Sequence, residues 1–312
     1  MRINNLAATI ERQVRSRFRS PAFWVGAIAP VVLIGVLLAA TGRATGSPPV
    51  TMFLAILSGL WIGGSGCVRE IVDERRLVQR DPHVSLLAYA VAKLLFATAM
   101  AGFQSLVLTV AVAASGCVSL PPPYVWIILG LTTVAGAFMA LILSALCDEA
   151  ATALAWFPLL LVPQVVFGGF LFPYDTTHPF AVDPATHRVE VMPPVLAPQP
   201  VGWALQAAGA FVVSRWALEG YAAQVYERDL SDADALEEAT KVNAFVPVLF
   251  GDAVAYPLYG HVRAQSLGEP TTPPRLNGGS LYYLLVLVFF AAVEAGALVV
   301  ILPARDPRRV TP

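Results

Sequence analysis

The sequence predicts an all-α membrane protein with six transmembrane helices, an N-terminal amphipathic interfacial helix and a large external insertion between helices five and six. Two observations support this fold class. Of the 312 residues, 57% are hydrophobic and only 13% are charged, whereas soluble domains carry about 25% charged residues. The apolar residues also gather into six runs that are long enough to cross a bilayer. Such a chain is expected in a membrane.

The N-terminal residues 1–20 have the pattern of a basic amphipathic helix at the cytoplasmic face. Arginines lie between apolar residues that recur at every fourth position. The basic residues continue to Arg19 and the next apolar run is long enough to span, so the pattern is not that of a cleavable signal peptide. The apolar positions are Leu6, Ile10, Val14 and Phe18.

The apolar runs divide the chain. Residues 21–172 hold the first five predicted spans, residues 280–303 hold the sixth, and residues 304–312 form a tail. The spans themselves are predicted at 23–41, 50–68, 86–114, 125–146, 150–172 and 281–302.

Lysine and arginine in the short loops predict the orientation. Twelve lie on the face that holds both termini and residues 69–81, and the short loops of the opposite face hold only Arg43. Both termini are therefore predicted to be cytoplasmic, in a multi-pass protein of the cell inner (cytoplasmic) membrane. The twelve are positions 2, 12, 15, 17, 19, 69, 75, 76, 80, 305, 308 and 309.

Residues 173–279 form the predicted external insertion, which is rich in proline near its start. Within it, the apolar stretch 201–213 is too short to span and suits a re-entrant or surface helix. The stretch 242–259 is longer but is interrupted by prolines. If both stretches crossed the membrane, the protein would have eight spans with the same termini, and this alternative stays open.

The charged stretch at 69–81 lies between two apolar spans, so it must sit in water at a membrane face. Apolar and charged residues alternate at helical spacing, which predicts a short amphipathic helix along the membrane surface. Its charges could bind a soluble partner, or the segment could be a solvated loop that only sets topology. The charged residues that could bind a partner are Arg69, Glu70, Asp73, Glu74, Arg75, Arg76 and Arg80.

Two charges fall inside predicted spans. Lys93 lies about 10 Å from the cytoplasmic end of the third span, and Glu294 about 13 Å from that of the sixth. Because an unpaired charge at that depth is costly, their similar depth predicts an intramembrane pair. The competing interpretation is that Lys93 reaches the headgroups and Glu294 meets another helix or a dimer partner.

Several function classes lack their signals in the sequence. There is no basic-aromatic pattern for nucleic acid, and the scattered cysteines 67, 117 and 147 predict neither a disulfide framework nor a metal site. The only lysines, Lys93 and Lys241, do not follow a glycine, so no P-loop is present. The chain is therefore not expected to bind a nucleotide or another cofactor in the usual way.

Three segments together resemble the permease module of ABC exporters of the G subfamily (the white and pleiotropic-drug-resistance type), which are type-2 ABC permeases. The first runs GGSGCVREIVDERRLVQRD and then LLAYAVAKLLF, over residues 63–96. The second is LSALCDEAATALAWFPLLLVPQVVFGGFLFP, over residues 143–173. The third is SRWALE, over residues 214–219.

The resemblance implies that residues 69–81 are a coupling helix, whose charged residues above bind an ABC ATPase domain or subunit. ATP and Mg²⁺ would be bound by that partner, and the chain would work as a homodimer in the lipid bilayer. The substrate path would lie between the two copies, lined by the second and fifth spans. Its apolar, aromatic character would suit a lipid-like or amphipathic substrate. The implied path residues are Phe53, Leu57, Trp61, Phe157, Leu161, Gln164 and Phe167.

Two alternatives remain from the sequence. The chain could be a membrane-anchored enzyme with its active site in the insertion 173–279, which holds three of the four histidines. It could also be a non-transporting anchor that ties a cytosolic partner to the membrane.

Overall fold

The computed structural model describes residues 11, 19, 21–46, 48–80, 85–118, 120–168, 180–182, 189–191, 208–227 and 279–305. Within these ranges the chain is mostly helical. The helices are α1 (Pro21–Thr45), α2 (Pro48–Cys67), α3 (Glu70–Arg80), α4 (Leu86–Ser115), α5 (Pro122–Leu146), α6 (Ala150–Val166), α7 (Val213–Glu227) and α8 (Gly279–Ala304), with strands β1 (Phe180–Val182) and β2 (Val189–Val191) between α6 and α7.

Five helical segments of the described residues are long and apolar enough to cross a membrane. The fifth predicted span, 150–172, is shorter than expected, because α6 ends at Val166 after 17 residues. A 17-residue helix is about 25 Å long, less than the roughly 30 Å of a hydrocarbon core. The predicted count of six spans is therefore not confirmed. The five segments are Phe23–Thr45, Val50–Arg75, Leu86–Ser115, Pro122–Leu146 and Leu281–Ala304.

Several predicted segments lie wholly or partly outside the described residues. Of the predicted N-terminal helix at 1–20, only Glu11 and Arg19 are described. The stretch 242–259 and the tail beyond Arg305 lie entirely outside the described residues. The alternative of eight spans and that of an active site in the insertion both fall largely there.

The described part of the insertion differs from an all-α expectation. Strands β1 and β2 form a two-stranded antiparallel hairpin in which Phe180 lies opposite Val191. The predicted re-entrant helix at 201–213 is described only from residue 208, and α7 begins at Val213, where that prediction ends.

The centre of the bundle is the contact between α2 and α5, which small residues bring close together. A Cβ added to Gly63 would lie 2.1 Å from the carbonyl oxygen of Thr133, and one added to Gly136 would lie 2.4 Å from that of Leu60. Gly59 precedes Gly63 by four residues and faces the same helix, so the two form the small-xxx-small pattern that lets membrane helices approach at their backbones. This contact positions α3, because α3 follows α2 directly.

A larger residue at this contact is expected to destabilise the bundle. In Gly63→Ala the new methyl group cannot be placed unless α2 and α5 separate, so we expect a loss of about 1–3 kcal/mol and a lower midpoint of thermal unfolding in detergent. The matched control is Gly102→Ala on α4, where an added Cβ meets nothing within 4 Å. Equal midpoints for the two variants would contradict the proposed close packing.

Candidate functional site around helix α3

The N-terminus of α3 is capped by a side chain from another helix. The backbone N–H groups of Ile71 and Val72 donate to Ser144 Oγ at 3.0 and 3.1 Å, and Ser144 is fully buried in the last turn of α5. The first N–H groups of a helix have no partner within the helix, and a hydroxyl oxygen is a favourable acceptor for them. Ser144 therefore fixes the start of α3 to the end of α5.

A buried ionic cluster joins α3 to the first turns of α4. The Lys93 ammonium lies 2.5 Å from Glu70 Oε2 and 2.9 Å from Glu74 Oε1, and the Lys93 side chain is only 1% exposed. The Tyr89 hydroxyl donates to Glu74 Oε2 at 2.9 Å. Glu70 and Glu74 are one turn apart on α3, as Tyr89 and Lys93 are on α4, so the two helices face each other through matched pairs.

This cluster corrects the predicted pairing of Lys93 with Glu294. Lys93 instead binds the two carboxylates of α3, while Glu294 Oε2 is buried on α8 and has no hydrogen-bond partner among the described residues. Similar depth along two spans does not identify the partner of a buried charge. The helix α3 lies across the ends of the spans and places its carboxylates beside a lysine that is one or two turns inside α4.

Arg75 attaches α3 to the same, C-terminal end of α5 that carries Ser144. Its Nη2 donates to the carbonyl oxygens of Ala145 at 2.7 Å and Cys147 at 2.8 Å, and its Nη1 lies 2.8 Å from Asp148 Oδ1. The last carbonyl groups of a helix lack partners within it, and a guanidinium presents several donors in a fixed fork. Arg75 therefore caps the C-terminus of α5.

Arg305, at the end of α8, shares these acceptors. Its Nη1 donates to the carbonyl oxygens of Ala145, at 3.2 Å, and Leu146, and lies 3.5 Å from Asp148 Oδ1. Asp148 is 82% exposed, so its charge is screened by water and the carbonyl contacts hold most of the geometry. The end of α5 is thus a meeting point for α3 and α8.

The charged residues of the predicted coupling helix therefore fall into two groups. Glu70, Glu74 and Arg75 bind the protein's own spans, although the resemblance implied that all seven face an ATPase. Arg69 and Asp73 are exposed. Arg76 and Arg80 lie on α3, but their side chains are outside the described part of the structure. By helical register Asp73, Arg76 and Arg80 share one stripe of α3, and Arg69, just before the helix, continues it at a spacing of four.

The residues implied for the substrate path are placed differently from one another. Trp61 on α2 is 44% exposed and its ring lies 5.7 Å from that of Phe157. Leu57 and Phe167 are half-buried. The remaining four face the interior of this single chain rather than an open path: Phe53, Phe157, Leu161 and Gln164.

Gln164 meets a partner that the sequence did not indicate. Its Oε1 accepts from the backbone N–H of Ser214 at 3.0 Å, and Ser214 Oγ donates to the backbone carbonyl oxygen of Gln164 at 2.6 Å. An amide among apolar helices needs such partners. These two bonds attach the end of α6 to the start of α7, which explains why a polar residue is tolerated there.

No group of three or more metal-ligating side chains occurs among the described residues. What the arrangement around α3 provides is mechanical. A short surface helix is held at its start by Ser144, on one side by Lys93 and on the other by the end of α5.

Comparison with known proteins gives the family. Residues 4–189 match the family described as ABC-2 type transporter. The chain is also 26% identical, over 186 residues, to an ABC transporter ATP-binding/permease protein of Mycobacterium tuberculosis. That match covers 52% of this chain and 22% of the relative, so the chain spans about a fifth of the length of the curated relative. With a family match over more than half of its length and five apolar helices of membrane-spanning length, the chain belongs to the ABC-2 type transporter family, as the multi-pass permease part of an ABC transporter.

Proposed function

We propose that this chain is the permease of an ATP-driven exporter and that α3 is the helix that receives force from the ATPase. The proposal depends chiefly on one observation, the buried contact of Lys93 with Glu70 and Glu74. A helix that only set topology would not need a buried lysine and two carboxylates to hold it. ATP and Mg²⁺ are bound by a separate ATPase domain or subunit. The name of the relative, which joins an ATP-binding part to a permease, supports this proposal.

The anchors of α3 suggest how force reaches the spans. Lys93 connects α3 to α4, and Ser144 and Arg75 connect it to α5. Breaking a buried ion pair is costly, so α3 moves together with these helices rather than sliding over them. When the ATPase domains close around ATP, the resulting push on α3 tilts the ends of the spans as one body, which is the rigid movement that alternating access requires.

The stripe formed by Arg69, Asp73, Arg76 and Arg80 is the proposed contact with the ATPase. These residues remain after the three anchoring residues are assigned to the chain's own spans. Charged groups at the edge of an interface orient the partners more than they add affinity. Such a stripe suits a partner that must be held in one register.

The substrate path is proposed to form between two copies of the chain. On α6, one face packs inside the chain and the opposite face is exposed and apolar. A second copy covering this face, together with Trp61 of α2, would enclose an apolar path suited to a lipid-like or amphipathic substrate. The exposed residues of α6 are Leu154, Trp156, Leu159, Leu160 and Val162.

Removing the cation of the buried cluster is expected to release α3. Lys93→Met removes the cation from the buried Glu70 carboxylate, which costs about 3–5 kcal/mol. We expect a lower unfolding midpoint and a more mobile spin label on α3. The exposed-charge control Arg69→Gln should change stability by less than about 0.5 kcal/mol. The triple variant Lys93→Met, Glu70→Gln, Glu74→Gln should recover most of the loss, and no recovery would count against the ion pair as the cause.

Reversing the charges of the outer stripe is expected to separate the ATPase from the permease. In Arg76→Glu, Arg80→Glu we expect loss of the ATP hydrolysis that co-purifies with the tagged chain from its native membranes, at unchanged yield of the chain itself. The control Arg308→Glu, Arg309→Glu reverses two charges on the predicted cytoplasmic tail. Wild-type chain without any co-purifying ATPase would contradict the proposed function, whereas retention in the stripe variant would contradict only this contact.

The proposed function requires α3 to face the cytoplasm, as the sequence predicts, and this orientation determines which thiols a membrane-impermeant reagent reaches in intact cells. With the native cysteines replaced, Asp73→Cys on α3 should label only after permeabilisation, and Pro121→Cys, an exposed residue before α5, should label without it. Labelling of Asp73→Cys in intact cells would place α3 outside and end the coupling assignment.

A further inference from the structure

A cavity of about 260 Å³ lies beside α3, between the described parts of α1, α2 and α4. Phe23 and Ala27 of α1 and Phe96 and Met100 of α4 form apolar walls, and the Phe23 and Phe96 rings lie 6.1 Å apart. The charged residues Arg69, Glu70, Asp73 and Lys93 form one end. The substrate path proposed above does not account for this cavity, which borders the proposed ATPase contact at Arg69 and Asp73 but extends away from it between the spans.

The polarity of the cavity changes along the direction of the spans. Its charged end is at α3, and Met100 lies seven residues further along α4 than Lys93, which is about 10 Å. Gln104, beyond Met100, also lines the cavity, and its Nε2 donates to the carbonyl oxygen of Ala27 at 3.5 Å. Exposed residues at the edges, such as Gly26 of α1 and Gly66 of α2, open the cavity to the surroundings of the helices. A molecule with a charged end at the membrane face and an apolar body pointing inward has the shape that these walls match.

The charges indicate which kind of headgroup would fit. Lys93 is already bound by Glu70 at 2.5 Å and by Glu74 at 2.9 Å, and Glu74 does not line the cavity. Arg69 and Asp73 are exposed, of opposite sign and one helical turn apart, and they form no ion pair with each other among those of the described residues. A site for anionic lipid would carry an excess of basic residues. This one is balanced and offers one cation and one anion.

We propose that this cavity binds a zwitterionic phospholipid of the adjacent leaflet, with its phosphate at Arg69, its ammonium at Asp73 and an acyl chain along Phe96 and Met100. A primary ammonium, as in phosphatidylethanolamine, can donate three hydrogen bonds. It therefore suits a carboxylate better than a methylated ammonium, which has no N–H group. The lipid would touch Glu70 and Lys93, the pair that holds α3 to α4. Its presence is thereby linked to the position of α3.

This site lies within one copy of the chain and goes beyond the proposed transport function. Lipid binding can be measured on the chain alone, without an ATPase or a second substrate. Failure of the lipid site would therefore leave the permease proposal untouched, and failure of ATPase binding would leave the lipid site untouched.

The test is photocrosslinking in nanodiscs of phosphatidylcholine that contain the full-length chain. A minor fraction of phosphatidylethanolamine or phosphatidylglycerol carries a diazirine on one acyl chain, and adducts are mapped by peptide mass spectrometry. We expect adducts on the segments around Phe23 and Phe96, about three- to fivefold more with phosphatidylethanolamine than with phosphatidylglycerol. Arg69→Gln, Asp73→Asn should remove that preference while leaving some adduct.

Glycine variants separate filling of the cavity from general damage. Gly66→Leu and Gly26→Leu add side chains toward the cavity at positions where a Cβ meets nothing within 4 Å, and each should lower adduct yield at Phe96 about fivefold or more. The control Gly102→Leu, also without a close neighbour and outside the cavity lining, should leave the yield unchanged.

Three results would overturn the proposal. Equal adduct yields in Gly66→Leu and wild type would show that the cavity holds no lipid. Equal or greater labelling by phosphatidylglycerol would show that the headgroup assignment is wrong. Absence of adducts at these segments in the wild type, together with a disulfide between Phe18→Cys and Asp73→Cys in a chain without its native cysteines, would show that the protein's own N-terminal segment occupies the cavity.

Discussion

The structure around α3 depends on one buried ammonium. The Lys93 side chain is only 1% exposed, and it lies in a helix that is long and apolar enough to cross a membrane. Burying a single charge is costly unless it is paired and hydrogen-bonded, and the two carboxylates of α3 supply that pairing. The requirement works in both directions, because Glu70 is also buried and needs the cation. The two helices are therefore held together because each buries a charge that is stable only beside the opposite charge of the other helix.

The second constraint is the backbone contact between α2 and α5. Gly63 and Gly136 allow the two helices to touch, and this contact places the end of α5 next to the start of α3. Ser144 and the carbonyl groups after it can then serve as partners for α3. Small residues in the middle of the membrane thus determine which polar groups meet at its surface. Without this contact, the hydroxyl and carbonyl groups of α5 would not be held next to α3.

Arg305 extends this arrangement to the last span. Its guanidinium and that of Arg75 share the carbonyl oxygen of Ala145 and the carboxylate of Asp148. A displacement of α3 therefore changes the surroundings of the end of α8. Because α8 begins at Gly279, directly after the long insertion, the proposed push from the ATPase has a physical route to the opposite side of the protein.

The sequence by itself determined that the chain is a helical membrane protein, that a short charged helix follows the second span, and that the protein resembles type-2 ABC permeases. Each of these follows from local composition, spacing or motif, which are properties that do not depend on how the helices pack. The sequence could not determine the roles of individual charges. Glu70, Glu74 and Arg75 look the same as Arg69 and Asp73 when read along the chain, although the spacing of Tyr89 and Lys93 on the next helix was a signal that could have paired them.

Only the tertiary structure decided that Lys93 pairs with α3 rather than with Glu294, that α6 ends early, and that Gln164 meets Ser214. The physical reason is that partners for buried polar groups come from helices distant in sequence: Ser144 is 73 residues from Ile71, and Arg305 is 160 residues from Ala145. Which polar groups meet depends on how the helices pack at their small residues, and no local sequence pattern shows which helices pack together.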